Sequence, residues 1–193
     1  MARPQKFTVE EIVDGARDVA LERWREATVA DVAARVGAPV GSIYHRFPSR
    51  DALFGAAWAR AIRRFHAGLI EVGRRGDAQE ALLAQARHIP RFCRGEPAEA
   101  KAMSLYRLTD LLDLVPAADR AELSTINDEI DALSRDLTAR RFGRVTDRRL
   151  TLVRIATRQG PYGLVRPLVG QTIPQEYDAV CAASAAGILA LGD

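Results

Sequence analysis

The chain has 193 residues, 48% of them hydrophobic, and a formal net charge of +3. That is enough apolar material for one large or two modest folded domains, and it excludes a disordered or fibrous chain. The positive excess sits at the front, with 11 Lys/Arg against 8 Asp/Glu in residues 1–66 and 17 against 17 thereafter, a mild footprint for an anionic partner.

In chain order, Arg3 and Lys6 precede the first helix on an arm expected to be flexible rather than a groove contact. Thr8 with Glu11 forms a capping box, and Val9, Ile12, Val13, Ala16, Val19 and Ala20 recur at helical spacing to about residue 23. This is a scaffold helix, with Trp24 expected to close the small core behind it. Thr28 caps a second helix, with Asp31 in the capping-box position, and Val29, Val32, Ala33 and Val36 make its apolar stripe. Gly37 suits the left-handed position past a helix end, and Pro39 cannot continue that helix, so the chain turns and restarts.

The restart, residues 40–47, reads as a helix of about 12 Å, short enough for a major groove about 12 Å wide. Ile43 and Phe47 stand four apart and face inward; Val40, Gly41, Ser42, Tyr44, His45 and Arg46 are left outside. Gly41 lets the backbone approach a duplex, Ser42 can read a base edge and Val40 a thymine methyl, while Tyr44, His45 and Arg46 reach phosphates or a further base. Ser49 caps the next helix, and Arg50 in its first turn is expected to meet a phosphate. Helix pairs with a glycine turn also occur in helical proteins that never touch DNA, so the pattern alone leaves both readings open.

Beyond it, helices are expected at 49–72, 78–94 with a kink at Pro90, 97–113, 117–140, 147–158, 162–168 and 175–190, with breaks at the glycines and prolines between them. Leu53, Ala57, Ile62, Phe65 and Leu69 make one inner face, and Leu123, Ile126, Ile130, Leu133 and Leu137 another. No strand pattern competes, and the fold class is all-α.

Residues 7–54 resemble the N-terminal domain of the TetR/AcrR family of transcriptional regulators, whose signature is close to T-x-x-x-I-A-x-x-A-G-V-S-x-G-T-L-Y-x-H-F-x-S-K-E-x-L. Thr28, Val32, Ala33, Gly37, Gly41, Ser42, Tyr44, Phe47, Ser49, Arg50, Asp51 and Leu53 fall at matching places. The chain departs at Pro39, where the family has a capping serine, at Val40, where many members carry a polar base-reading side chain, and at His45-Arg46. The resemblance implies a DNA-binding domain over 1–54 that includes Thr28 among its contacts, and a helical bundle over 55–193 for effector binding and dimerisation. It also implies a homodimer that binds double-stranded operator DNA as an inverted repeat and is released by a small effector.

Small residues of the last helix, Ala179, Ala182, Ala183, Ala186, Gly187 and Ala190, would permit close helix pairing. Expected cavity side chains are Trp58, Ile62, Phe65, Phe92, Met103, Tyr106 and Tyr162, with His88 and Arg107 as polar handles, although each is also an ordinary core residue by pattern. Such a lining favours an apolar or aromatic effector.

No cofactor or metal is expected. His45, His66 and His88 show no metal spacing, and no H-E-x-x-H, G-x-S-x-G or C-x-x-C occurs, so an enzyme is not the expected reading. Cys93 and Cys181 fit a reducing cytoplasm, with redox sensing a minor alternative. Arg140, Arg141, Arg144, Arg148 and Arg149 form a charged group read as solvated rather than as an anion site. The longest apolar run, residues 179–191, is too short to span a bilayer, so a cytoplasmic protein away from membranes is expected. The competing function is a helical small-molecule or protein-binding module whose DNA motif has lost its use.

Overall fold

The computed structural model describes residues 7–193, which leaves Arg3 and Lys6 outside it. Among the described residues every regular element is helical, and no helix is long and apolar enough to cross a membrane. The helices are α1 (Val9–Arg23), α2 (Val29–Val36), α3 (Val40–Tyr44), α4 (Arg50–Gly73), α5 (Ala78–Gly95), α6 (Pro97–Met103), α7 (Leu108–Leu114), α8 (Ala117–Ser124), α9 (Asp128–Phe142), α10 (Asp147–Arg154), α11 (Gly160–Val165) and α12 (Glu176–Ala190). They form two compact units, the described residues up to Ile62 with Ala98–Ile126, and Arg63–Pro97 with Asn127–Asp193. Packing therefore groups the chain differently from a boundary after Phe54. Trp58 and Ala59 pack with Leu111, Val115 and Leu123, which brings α7 and α8 into the first unit.

In the first unit, Ile12, Val19, Val29, Val32, Ile43, Leu53 and Phe54 meet in one core. Removing each such side chain from water is worth about 1.5–3 kcal/mol. The packing is close: a Cβ on Gly15 would come 2.5 Å from Val36 Cγ1, so the α1–α2 crossing admits no side chain there. Polar ties add to it. Arg60 on α4 pairs with Asp14 on α1 at 2.9 Å, and Arg17 reaches the buried Glu99 of α6 at 3.4 Å.

The helix expected over 97–113 is two helices. The Trp58 indole N–H donates to the carbonyls of Met103 (3.0 Å) and Tyr106 (3.1 Å), drawing both away from a continuous helical ladder. The helix expected over 117–140 also divides, because Ser124 and Thr125 donate side-chain hydroxyls back to the carbonyls of Ala121 and Glu122.

In the second unit α5 packs on α9, α11 and α12, with Leu82, Leu137, Val153, Ala185 and Leu189 in the core. Pro90 lies within α5 rather than ending it. No break occurs at Gly160: α10 runs through a widened π turn, residues 155–159, straight into α11. Pro161 explains the widening, since its ring has no N–H and would collide with the carbonyl of an ordinary preceding turn. The arginine group has a structural task. Arg148 donates to Leu191 O at 2.8 Å, Arg149 to Gly192 O at 3.0 Å, and Arg141 pairs with Asp193 at 2.8 Å, so three guanidinium groups hold the carbonyl end of α12.

Candidate nucleic-acid interface

The site begins with the start of α2. Thr28 is extended (φ −116°, ψ 161°); its hydroxyl accepts from Asp31 N at 3.1 Å while its own N–H donates to the Asp31 carboxylate at 2.9 Å. Thr28 Oγ1 also donates to Asp31 Oδ2 at 2.7 Å, and Arg23 Nη1 donates to Oδ1 at 2.6 Å. The Thr28 hydrogen bonds first and Arg23 second hold the Asp31 carboxyl down at about 2. Gly37, at φ 68°, closes α2 in the left-handed region, its N–H donating to Ala33 O.

Pro39 opens α3 from an extended conformation without a side-chain cap. The regular helix is five residues, about 7.5 Å, and not the eight expected to Phe47. It ends early because Pro48 disfavours a helical conformation at Phe47 and Ser49 caps α4 through Ala52 N at 3.0 Å. One further turn persists in the bonds His45 N to Gly41 O and Phe47 N to Ile43 O. Ile43 is fully buried and Phe47 packs on the same core, which anchors the element from beneath. Val40, Gly41, Tyr44 and His45 are exposed on the other side, Tyr44 by 48%. Ser42 is half-buried, and a Cβ on Gly41 would meet nothing within 4 Å, so the backbone there is open to a close approach.

Two arginines expected to face phosphates are engaged inside the protein. Arg46 donates to Ser42 O at 2.9 Å and Phe7 O at 3.2 Å. Arg50 donates from Nε to Ala27 O at 2.8 Å and from Nη2 to Arg25 O at 2.9 Å, while Nη1 meets Asp51 Oδ1 and Tyr106 Oη, each at 3.2 Å. Both face acceptors within the fold, which a one-dimensional pattern cannot display.

Trp24 departs from expectation too. It is 39% exposed and adopts φ 47°, ψ −119°, a conformation that costs a non-glycine residue on the order of 1–3 kcal/mol. Its indole donates to Ser104 Oγ at 3.0 Å, between Arg25 (4.9 Å) and Lys101 (4.8 Å) over its ring. An aromatic flanked by two basic residues far apart in sequence leaves no local signal.

The nine side chains expected to line a cavity divide between the units. Trp58, Ile62 and Tyr106 share a cluster in the first, with Met103 contributing a carbonyl and Arg107 exposed at the start of α7. In the second, Phe65, His88 and Phe92 stack at centroid distances of 5.2–5.8 Å, with the His88 ring against Phe65 O at 3.2 Å. Burial lowers the His88 pKa below its ordinary value, against the weaker opposing effect of the Phe65 carbonyl. Burial likewise raises Tyr162, half-buried on α11. Both cysteines are buried, and burial pushes Cys93 up to about 12 and Cys181 to about 11, which leaves them protonated and poor redox nucleophiles. Among the described residues no group of acidic, histidine or cysteine side chains is arranged to hold a metal ion.

Residues 12–57, which contain this whole helix pair, match the family described as bacterial regulatory proteins, tetR family. No curated protein matches the chain. Among solved structures, the chain is similar to a transcriptional regulator from a Rhodococcus species, with 26% identity, a TM-score of 0.71 and coverage of 97% of this chain and 98% of that one. A ketosteroid transcriptional regulator of Mycobacterium tuberculosis has 16% identity and a TM-score of 0.69 over 96% and 95% of the two chains. The fatty acid degradation regulator FadR of Bacillus halodurans has 17% identity and a TM-score of 0.65 over 97% of each.

Proposed function

We propose that the chain is a DNA-binding transcriptional regulator of the tetR type, a reading supported by the match over residues 12–57 and by the similarity to a solved transcriptional regulator, and that it represses as a homodimer on an inverted-repeat operator and is released by a mainly apolar small molecule. The observation that carries the proposal is the outward flank of α3, with Val40, Gly41, Tyr44 and His45 exposed above a fully buried Ile43. Ser42 and Val40 are the base-reading candidates, and Tyr44 and His45 the backbone contacts.

Dimerisation is supported by α12. Cys181, Ala182, Ala185 and Leu189 are buried, while Ala179, Val180, Ala183, Gly187 and Ala190 are exposed. An outward stripe made entirely of apolar and small residues suits close pairing with a second helix. One short reading helix contacts too few bases for specificity, whereas a two-fold pair reads two half-sites about 34 Å or a multiple apart. The stacked Phe65, His88 and Phe92 support an apolar or aromatic effector, in keeping with the ketosteroid and fatty acid named for two structural neighbours. An effector that favours a different spacing of the reading helices lowers DNA affinity by its differential binding energy, typically about 1–3 kcal/mol.

The test is a mobility shift on the DNA beside the protein's own gene, with a salt titration and competitor. Sequence-specific retention that weakens with salt supports the regulator. Absence of retention over competitor supports the rival reading, a binding module with an idle DNA motif, which the inward engagement of Arg46 and Arg50 favours.

A further inference from the structure

Tyr106 lies 56 positions along the chain from Arg50, yet the two side chains meet at 3.2 Å. The phenol donates to Asp51 Oδ1 at 2.6 Å, and the same carboxylate oxygen accepts from Arg50 Nη1. Arg50 then extends its other two donors to the carbonyls of Arg25 and Ala27. Those carbonyls belong to the middle residue and the C-cap of the short turn, Trp24–Glu26, that leads into the Thr28 cap of α2. All three guanidinium nitrogens are therefore engaged, Nε and Nη2 by the turn and Nη1 by both Asp51 and the phenol. Phe54 lies against its face, with Cζ 4.8 Å from the ring centroid.

The turn being held is the strained one. Trp24 is the sole non-glycine residue at positive φ among the described residues, and it needs surroundings that over-determine its conformation. Arg50 supplies part of that constraint by bonding the next peptide carbonyl, and Ser104, two positions before Tyr106, supplies another by accepting from the Trp24 indole. Segment 101–106 thus meets the turn through Lys101 over the Trp24 ring, through Ser104, and through the Tyr106–Asp51–Arg50 chain. Since only Ala27 and Thr28 separate this turn from α2, and α3 follows after the Gly37 link, the turn's position sets where both helices point.

We infer that Arg50, Asp51 and Tyr106 form a hydrogen-bonded clasp that fixes the turn before α2, making Tyr106 and Arg50 positioning residues for DNA recognition rather than a pocket wall and a phosphate ligand. This inference rests on the DNA-binding reading given above for its functional part, and on geometry alone for the clasp. A clasp of this kind acts on affinity without neutralising a phosphate. It also depends on the planar fork of Arg50, because an ammonium cannot span both carbonyls while meeting Asp51 and the phenol.

The experiment uses the full chain with Tyr106→Phe, Arg50→Ala and Arg50→Lys, and reads two quantities. The first, which needs no DNA, is amide exchange at Ala27 and Val32, whose N–H groups donate to Trp24 O and Thr28 O. All three variants should speed it about tenfold, while amides in α5 keep their wild-type protection, which also certifies that the variants are folded. The second is affinity for a duplex of the DNA upstream of the gene across a salt series. Affinity should fall about tenfold in each variant with the log–log salt slope unchanged, since a lost phosphate contact would lower the slope by about 0.9 for each subunit bound. A slope that drops by that amount in both Arg50 variants, or in Arg50→Ala alone with Arg50→Lys like wild type, makes Arg50 a phosphate ligand and overturns the inference. Wild-type exchange in Tyr106→Phe overturns it as well. A wild-type protein that retains no duplex removes the DNA reading and the clasp's role in recognition with it, and the exchange rates then decide separately whether the clasp holds the turn.

Discussion

His88 occupies the space that a side chain at residue 68 would need. A Cβ placed on Gly68 would come 2.3 Å from His88 Cε1 and 2.9 Å from Nε2, so glycine at this point of α4 is what lets the imidazole reach Phe65 O and stack with Phe65 and Phe92. Gly68→Ala should displace the ring and destabilise the protein by about 1–3 kcal/mol through overpacking, despite the better helix propensity of alanine. Urea unfolding measures it; an increase in stability would show that the ring yields freely.

The same buried ring makes stability depend on pH. Its folded-state pKa lies below the ordinary 6.5 chiefly because burial disfavours the imidazolium. The unfolded chain therefore binds the proton first as pH falls. Stability due to the neutral ring is fully present above about 6.5 and declines as pH drops from there toward the folded-state value. Unfolding midpoints recorded between pH 7.5 and 5 should decline in the wild type and decline less in His88→Gln.

The start of α2 is held by one reciprocal pair. Thr28→Ala removes the hydroxyl that accepts from Asp31 N and should cost about 1 kcal/mol of stability. The Asp31 carboxyl, held down at about 2 by Thr28 and Arg23, sits below its ordinary 3.8. Its contribution is complete above 3.8 and vanishes as pH falls toward 2. A carboxyl titration followed by NMR should place the Asp31 midpoint near 2 in the wild type and higher in Thr28→Ala, yet still below the ordinary 3.8 because Arg23 and the residue-28 N–H remain.

On the proposed function, α3 recognises DNA through two neutral groups, Tyr44 and Ser42. Tyr44→Phe removes only the exposed hydroxyl; a hydrogen bond to a charged phosphate is worth about 1.5–3 kcal/mol, so affinity for every duplex should fall about ten- to hundredfold. Ser42→Ala should instead change which sequence is preferred. Binding of randomised duplexes separates the two, and an unchanged preference in Ser42→Ala would move base reading elsewhere on α3.

Gly187 tests assembly without disturbing the fold. A Cβ there meets nothing within 4 Å, so Gly187→Arg should fold as the wild type does while placing a charge in the outward apolar stripe of α12. Sedimentation should then show a monomer, and operator affinity should drop toward the non-specific level, about 10³-fold or more. A dimer that survives this change pairs through another surface.

Much of the molecule follows from short-range pattern. The boxes at Thr8/Glu11 and Thr28/Asp31, the left-handed Gly37 and the inward Ile43 depend on residues no more than four positions away, whose geometry any helix imposes, so they were legible in the amino-acid order alone and occur as expected. The resemblance to the tetR family followed from the same stretch. The fates of long polar side chains were not legible there. Arg46 bonds a carbonyl 39 positions away, Arg50 bonds carbonyls 23 and 25 positions away, and Tyr106 a carboxylate 55 away. A guanidinium takes whichever acceptor the folded chain brings within reach, and only the three-dimensional packing decides whether that acceptor belongs to the protein or is left for a phosphate.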